Sequence, residues 1–183
     1  MEKKTFKEKL LTESISLLKI FVISFLLVSL LTTFVIKPVK VVGDSMYPTL
    51  HNHDNGFSSV ITKLTRGIRR FDIVVVYLPT DKKYIVKRVI ALPNETVSYE
   101  NNQLFINNSP LAEPFLDEKY MQEVTKEGSN FTKNFDPLTL KSDEYFLLGD
   151  NRPFSLDSMY YGPFKENQII SIGVFVLFQL PIR

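Results

Sequence analysis

At 183 residues, with 44% hydrophobic and 13% aromatic side chains, the chain can bury a substantial core and does not have the composition of a disordered protein. Twenty-two Lys and Arg against twenty Asp and Glu leave a formal charge of +2, and no stripe of basic and aromatic residues points to a nucleic-acid partner. There is no cysteine, which excludes disulfides and thiolate metal sites.

The chain opens on a Lys-rich stretch, then turns continuously apolar. From Ile20 to Ile36 it carries no charge, and only Ser and Thr interrupt the run. That run alone makes a helix of about 25 Å, the short end of a membrane span. Starting near Ile15 lengthens it, with Lys19 reaching its ammonium to the headgroups. A buried core helix is the alternative. A cleavable leader fits less well, because no small-x-small site follows. The expectation is a tail over 1–14, a transmembrane signal anchor over 15–36 and an external domain over 37–183. Lys3, Lys4, Lys7, Lys9 and Lys19 precede the run, and Lys37 and Lys40 follow it. This excess keeps the N-terminus in the cytoplasm and the remainder on the outer face of the membrane.

Val39 to Val42 reads as a short strand that ends in Gly43-Asp44-Ser45-Met46-Tyr47-Pro48. Gly43 lets the chain bend and Pro48 stiffens the exit, so Ser45 is presented in a turn. A serine so presented is a candidate nucleophile, although most Gly-Asp-Ser turns are only turns. It needs a base. His51 and His53 lie too close in sequence to fold back easily onto Ser45, and no carboxylate cluster joins them to make a metal site. No metal or other cofactor is expected.

Asp72 to Leu78 and Lys83 to Leu92 each end at a proline and read as strands. In the second, alternation puts Ile85, Lys87 and Val89 on one face and Val86, Arg88 and Ile90 on the other. An amine between Ile and Val is partly dehydrated, and dehydration lowers its pKa. Neutral at working pH, Lys87 could take the proton from a serine hydroxyl. The competing reading is an edge-strand lysine that points to water. Val97–Glu100 and Gln103–Ile106 flank Asn101-Asn102, a pair suited to a tight hairpin. The stretch from about 100 to 142 is irregular and reads as a small β insertion. Glu144–Leu148 and Ile169–Leu180 supply two more strands, with no helical period after the anchor. The fold class is therefore mainly β and antiparallel, behind a single N-terminal helix.

Between the last two strands lies GDNRPFSLDSMYYGP, Gly149 to Pro163, with more polar groups than a connector requires. A loop of this kind can build a hydrogen-bonded network beside a serine and a lysine. Ser16-Leu-Leu-Lys19 matches the S-x-x-K of penicillin-binding enzymes, but it sits at the end of the anchor without companion motifs.

In this order, anchor, GDSMYPTL, RFDIVVVYLP, YIVKRVIALPNETV and LLGDNRPFSLDS resemble the bacterial type I signal peptidases. The resemblance covers nearly the whole external chain, including VSYENNQLFINNSPLAEPFL as the family's hairpin. It implies a signal-peptidase-like catalytic fold that cleaves signal peptides from exported preproteins at the bilayer surface. It implies Ser45 as nucleophile and Lys87 as general base, with Ser155 hydrogen-bonded to the lysine and Asp150, Arg152 and Asp157 in support. A substrate strand would run between Val41–Gly43 and Tyr84–Val86. Met46, Leu50, Ile85 and Val86 would wall small pockets for Ala-x-Ala. The chain departs from the family at Met159, a usual Arg, which would remove a salt bridge to Asp150. Phe71, Ala91 and Asn94 stand at usual glycines. Gly43 stands where some relatives place a serine in the oxyanion hole, so the hole would rest on backbone amides, chiefly that of Ser45. Two other functions compete, a non-catalytic pilus-assembly relative and a membrane-anchored binding module. The presence of both Ser45 and Lys87 counts against the first. The second needs neither an apolar-flanked lysine nor the polar loop.

Overall fold

The computed structural model describes residues 6–125 and 128–178, and the chain divides into two units, Met1–Ile36 and Lys37–Arg183. The described residues of the first form one helix, α1 (Phe6–Phe34), followed by Val35 and Ile36. It begins well before residue 15, so the described part of the expected tail is helical. Within it Lys9–Leu31, of mean hydropathy 2.4 with nothing buried, is long and apolar enough to cross a membrane. At 1.5 Å per residue this stretch reaches about 35 Å, enough for the hydrocarbon layer. Ser16 Oγ donates back to Thr12 O at 2.9 Å, the usual way for a helical serine to satisfy its hydroxyl.

The second unit is mainly β. The strands, all of them within this unit save the first residue of β1, are β1 (Ile36–Lys40), β2 (Asn55–Ser59), β3 (Ile73–Leu78), β4 (Lys83–Ala91), β5 (Thr96–Glu100), β6 (Gln103–Ile106), β7 (Ser109–Leu111), β8 (Phe135–Thr139), β9 (Glu144–Leu148), β10 (Phe164–Lys165) and β11 (Ile169–Phe178). One sheet runs in the order β1-β2-β11-β3-β4-β9-β10, and a second in the order β7-β6-β5-β8. Pairing is antiparallel from β3 to β4, β4 to β9 and β5 to β6. The expected strand 39–42 is thus displaced to Ile36–Lys40, and the last two residues expected in the final strand, 179 and 180, lie outside the described residues. The insertion sheet starts at Thr96, a little ahead of residue 100.

Two hairpins close on Asn pairs, because asparagine tolerates the left-handed backbone that a two-residue turn demands. Asn101 and Asn102 join β5 to β6 with φ of 49° and 64°, and Asn107 and Asn108 join β6 to β7 with 50° and 64°. Short helices, unforeseen from periodicity, occur at α2 (Val60–Arg66), α3 (Glu118–Val124) and α4 (Ser158–Tyr161). Two turns or fewer cannot display a period. Their signal is the cap, where Ser59, Asp117 and Asp157 accept from the backbone N–H of Thr62, Tyr120 and Met159.

One core forms where β3, β4, β9 and β11 meet, around Val74, Val76, Val89, Leu147 and Ile169. The insertion sheet shares another, around Ile90, Tyr99, Leu104, Phe146 and Leu148. A third and smaller cluster is Val41, Met46 and Leu50, against which Ile73, Val86 and Val174 pack. It underlies the turn that carries Ser45.

Candidate active site

Gly43 has φ of +87°, which glycine adopts without penalty, and its N–H donates to Asn52 Oδ1 at 3.0 Å. Beyond it Met46 is 1% exposed and Leu50 3%, and Leu50 N donates to Met46 O at 2.9 Å. Two buried apolar anchors therefore fix the turn from one side while Ser45, partly exposed, borders a cleft.

Lys87 reaches Ser45 from the buried side. Its Nζ donates to Ser45 Oγ at 2.6 Å, and the residue is 2% exposed. Strand alternation explains the burial: Val89 belongs to the apolar cluster with Val74 and Val76, and Ile85 packs against it. Dehydration pulls the ammonium down to about 8, although Asp157 and Asp150 oppose the shift. About a tenth of the amine is then neutral at pH 7, and half at pH 8.

The next residue obeys the opposite rule. Arg88 cannot shed its proton, so its burial calls for a partner. It has one in Asp150, with Nε to Oδ1 at 2.8 Å and Nη2 to Oδ2 at 2.6 Å. Thr49 Oγ1 donates to the same carboxylate at 2.5 Å. Arg88 also donates to Phe71 O at 2.9 Å and lies 4.1 Å over the Phe115 ring. Met159, at the family's usual Arg, is 39% exposed, and Arg88 supplies the charge that Asp150 would otherwise lack. Phe71, at a usual Gly, takes φ of 67°, a strained value for a bulky side chain, while its ring packs on Phe115 at 5.0 Å.

The loop after β9 clasps the Ser45 turn. Asn151 N donates to Ser45 O at 3.1 Å, and Asn151 Nδ2 donates to Asp44 O at 2.9 Å. Asp157 Oδ2 accepts from Gly149 N at 3.0 Å, and Ser158 Oγ accepts from Leu147 N at 2.8 Å. Arg152 turns away to the insertion, donating to Glu113 Oε1 at 2.5 Å, Tyr99 OH at 2.7 Å and Thr132 Oγ1 at 2.8 Å. Its role is to tie the loop to β5 and its neighbours. Ser155 Oγ is buried without a hydrogen-bond partner, so its implied bond to Lys87 is not made here. At Gly149 a Cβ would overlap both Ser155 Oγ and the Ser45 carbonyl oxygen, so only glycine permits this approach.

The cleft beside Ser45 has a volume of about 460 Å³ and is walled by β1, β4 and the floor residues Val75, Ile170 and Ser171. Met46, Ile85 and Val86 line it. Leu50 does not: it is spent inside the small cluster under the turn. β9 pairs with β4 only from Arg88 to Ala91, and β1 ends the sheet. The cleft thus lies between two strand stretches that each keep one side unpaired. Neither histidine lines it. His51 faces Asp54 at 3.9 Å and the Tyr47 ring, and no cluster suited to a metal occurs among the described residues. Arg88, Asn151 and Glu113 were not singled out from sequence as site residues. Arg88 carried a signal in its place on the face of β4 opposite Lys87, and Asn151 in its place within the polar Gly149–Pro163 loop, whereas Glu113 carried none.

A family model for signal peptidase, peptidase S26, matches residues 14–178. The chain belongs to this family. It is a serine endopeptidase, with the mainly β fold expected of the signal peptidases. Signal peptidase I of Bacillus amyloliquefaciens is 38% identical over 161 residues, which cover 87% of this chain and 83% of that one. Signal peptidase I U of Bacillus subtilis is 37% identical over 175 residues, covering 95% and 92%. The crystal structure of a signal peptidase I from Enterococcus faecalis is similar with a TM-score of 0.53 and 34% identity, over 57% of this chain and 95% of that one.

Among signal peptidases the glycine contact yields a direct test. Gly149→Ala should push the Ser45 carbonyl aside and misplace the hydroxyl relative to Lys87, lowering peptide turnover by about a hundredfold or more. Steady-state cleavage of a peptide substrate measures this, and wild-type turnover would refute the packing constraint.

Proposed function

We propose that this signal peptidase is membrane-anchored through α1 and removes signal peptides from exported preproteins after Ala-x-Ala sites, using Ser45 as nucleophile and Lys87 as general base. The observation that carries the reading is the 2.6 Å contact between a buried lysine amine and the hydroxyl of a serine bordering a cleft. Neutral Lys87 takes the Ser45 proton as Oγ attacks the scissile carbonyl carbon. The Ser45 amide faces the developing oxyanion. The lysine then returns its proton to the leaving amine, and an ester links the signal peptide to Ser45. Water, deprotonated by the same amine, hydrolyses that ester. Ser155, whose hydroxyl is buried beside Gly149 without a hydrogen-bond partner, is assigned a supporting place next to the Ser45 turn. Asp150 and Asp157 hold the surrounding frame through Arg88 and the Gly149 amide. A non-catalytic pilus-assembly role is the weaker reading, because it gives no reason to dehydrate a lysine against a serine.

Ser45→Ala and Lys87→Ala should each abolish cleavage while leaving the thermal unfolding profile close to that of the parent. Lys87→Arg should fail too, since guanidinium stays protonated. The pH profile follows from the sign of the shift. With the amine at about 8, kcat/KM should rise about tenfold per unit at acid pH and level off above 8. A limb near 6.5 that vanishes on His51→Ala would implicate histidine instead.

The two open strand stretches support binding of the substrate as an added strand, which reads alternate side chains. Residues one and three before the scissile bond would face Met46, Ile85 and Val86, and the one between would face outward. Replacing the Ala just before the cut by Phe should lower kcat/KM by orders of magnitude, while changing the intermediate residue should have little effect. Equal cleavage of the Ala and Phe precursors would sink the pocket assignment.

The excess of Lys ahead of the apolar run supports a cytoplasmic N-terminus with the β unit outside. Protease added to intact cells should therefore digest the β unit and spare a tag placed ahead of Lys3. The opposite pattern would reverse the topology.

A further inference from the structure

The insertion holds a residue that reaches the catalytic turn from outside every motif of the sequence. Tyr120, on α3, donates its hydroxyl to Asn151 Oδ1 at 3.0 Å. The same Asn151 donates from Nδ2 to Asp44 O and from its backbone N to Ser45 O. An amide side chain has one accepting end and one donating end. A donor at Oδ1 therefore fixes which end faces the Ser45 turn. The Tyr120 ring makes a second contact with that turn, lying edge-on to Tyr47 at 4.9 Å, two residues beyond the nucleophile. On its other side it meets Phe131 of the insertion at 6.4 Å. The start of α3 is itself fixed, because Asp117 accepts from Tyr120 N at 2.8 Å.

We propose that Tyr120 is a positioning residue for the nucleophile, orienting the Asn151 side-chain amide so that its Nδ2 grips the Asp44 carbonyl beside the backbone bond from Asn151 N to Ser45 O. The inference rests on Ser45 being the nucleophile. Asn151 is 3% exposed, so removing the hydroxyl leaves its Oδ1 without a donor in a place that water reaches poorly. The amide is then free to turn over, which would set Oδ1 against Asp44 O, acceptor against acceptor. The Ser45 turn loosens at the point where a 2.6 Å contact to Lys87 must be kept. The effect falls on the chemical step, because Tyr120 does not line the cleft.

The test uses the full-length chain in detergent micelles, with a signal-peptide substrate and kcat normalised to the folded fraction. Tyr120→Phe keeps the ring on Tyr47 and removes only the hydroxyl. It should lower kcat about tenfold with KM within twofold of the parent. Asn151→Ala should lower kcat at least as far, and adding Tyr120→Phe to it should cost less than a further twofold, since the hydroxyl acts through Asn151. Unchanged kcat in Tyr120→Phe, a loss confined to KM, or losses that multiply in the double variant would each overturn the proposal. Ser45→Ala run alongside separates the two readings. Its activity would remove the nucleophile itself, whereas an inactive Ser45→Ala beside a fully active Tyr120→Phe removes only the positioning role.

Discussion

A lysine amine kept out of water is the condition to which the rest of this domain answers. Moving Lys87 from a pKa of 10.5 to about 8 means withholding water from a group that water stabilises strongly. The β4 strand does this by alternation, with Ile85 and Val89 packed beside it, and the Ser45 turn closes the remaining approach. Asp150 and Asp157 both favour the charged form, yet neither makes a hydrogen bond to the amine. Asp150 is engaged by Arg88 and Thr49, and Asp157 by the Gly149 and Met159 amides. The carboxylates are occupied elsewhere, so dehydration prevails.

Adjacent positions on β4 thus show two ways of burying a base. An amine can lose its proton, so Lys87 is left without a counterion. A guanidinium cannot, so Arg88 receives a bidentate carboxylate, a carbonyl and an aromatic face. The pair Arg88–Asp150 also joins β4 to the loop after β9, and Arg152 joins that loop to the insertion through Glu113, Tyr99 and Thr132. The Ser45 turn therefore sits in a frame with contributions from three distant stretches of sequence.

This arrangement sets what could be read from sequence alone. Strand alternation separates Lys87 from Arg88 because it is a local property, and the Asn101-Asn102 turn is legible for the same reason. The second Asn pair, at 107 and 108, has the same chemistry and could have been read in the same way. Leu50 misled: four residues after Met46 in a tight turn, it points to the same small cluster rather than to the cleft. Tyr120 and Glu113 gave no pattern, since their bonds to Asn151 and Arg152 span 31 and 39 residues and no periodicity encodes them, and the bond from Asn151 to Asp44 spans 107. The departure at Met159 reads from sequence as a lost salt bridge, but Arg88 already stands at Asp150. Phe71 and Asn94 show that a usual glycine can be replaced while the left-handed backbone, at φ of 67° and 64°, is kept.

The two unpaired strand stretches have a consequence for the protein's own solubility. An exposed backbone edge that welcomes one extended peptide will also welcome a neighbour's strand, the first step of ordered aggregation. The edge strand β1 reads Ile-Lys-Pro-Val-Lys. Pro38 removes one backbone donor from the middle of the edge, and Lys37 and Lys40 place like charges where a second copy would lie. On the proposed reading a single short guest would still fit between β1 and β4, while Pro38 and the like charges disfavour a ladder of copies. The same five residues would admit a visitor and discourage a polymer.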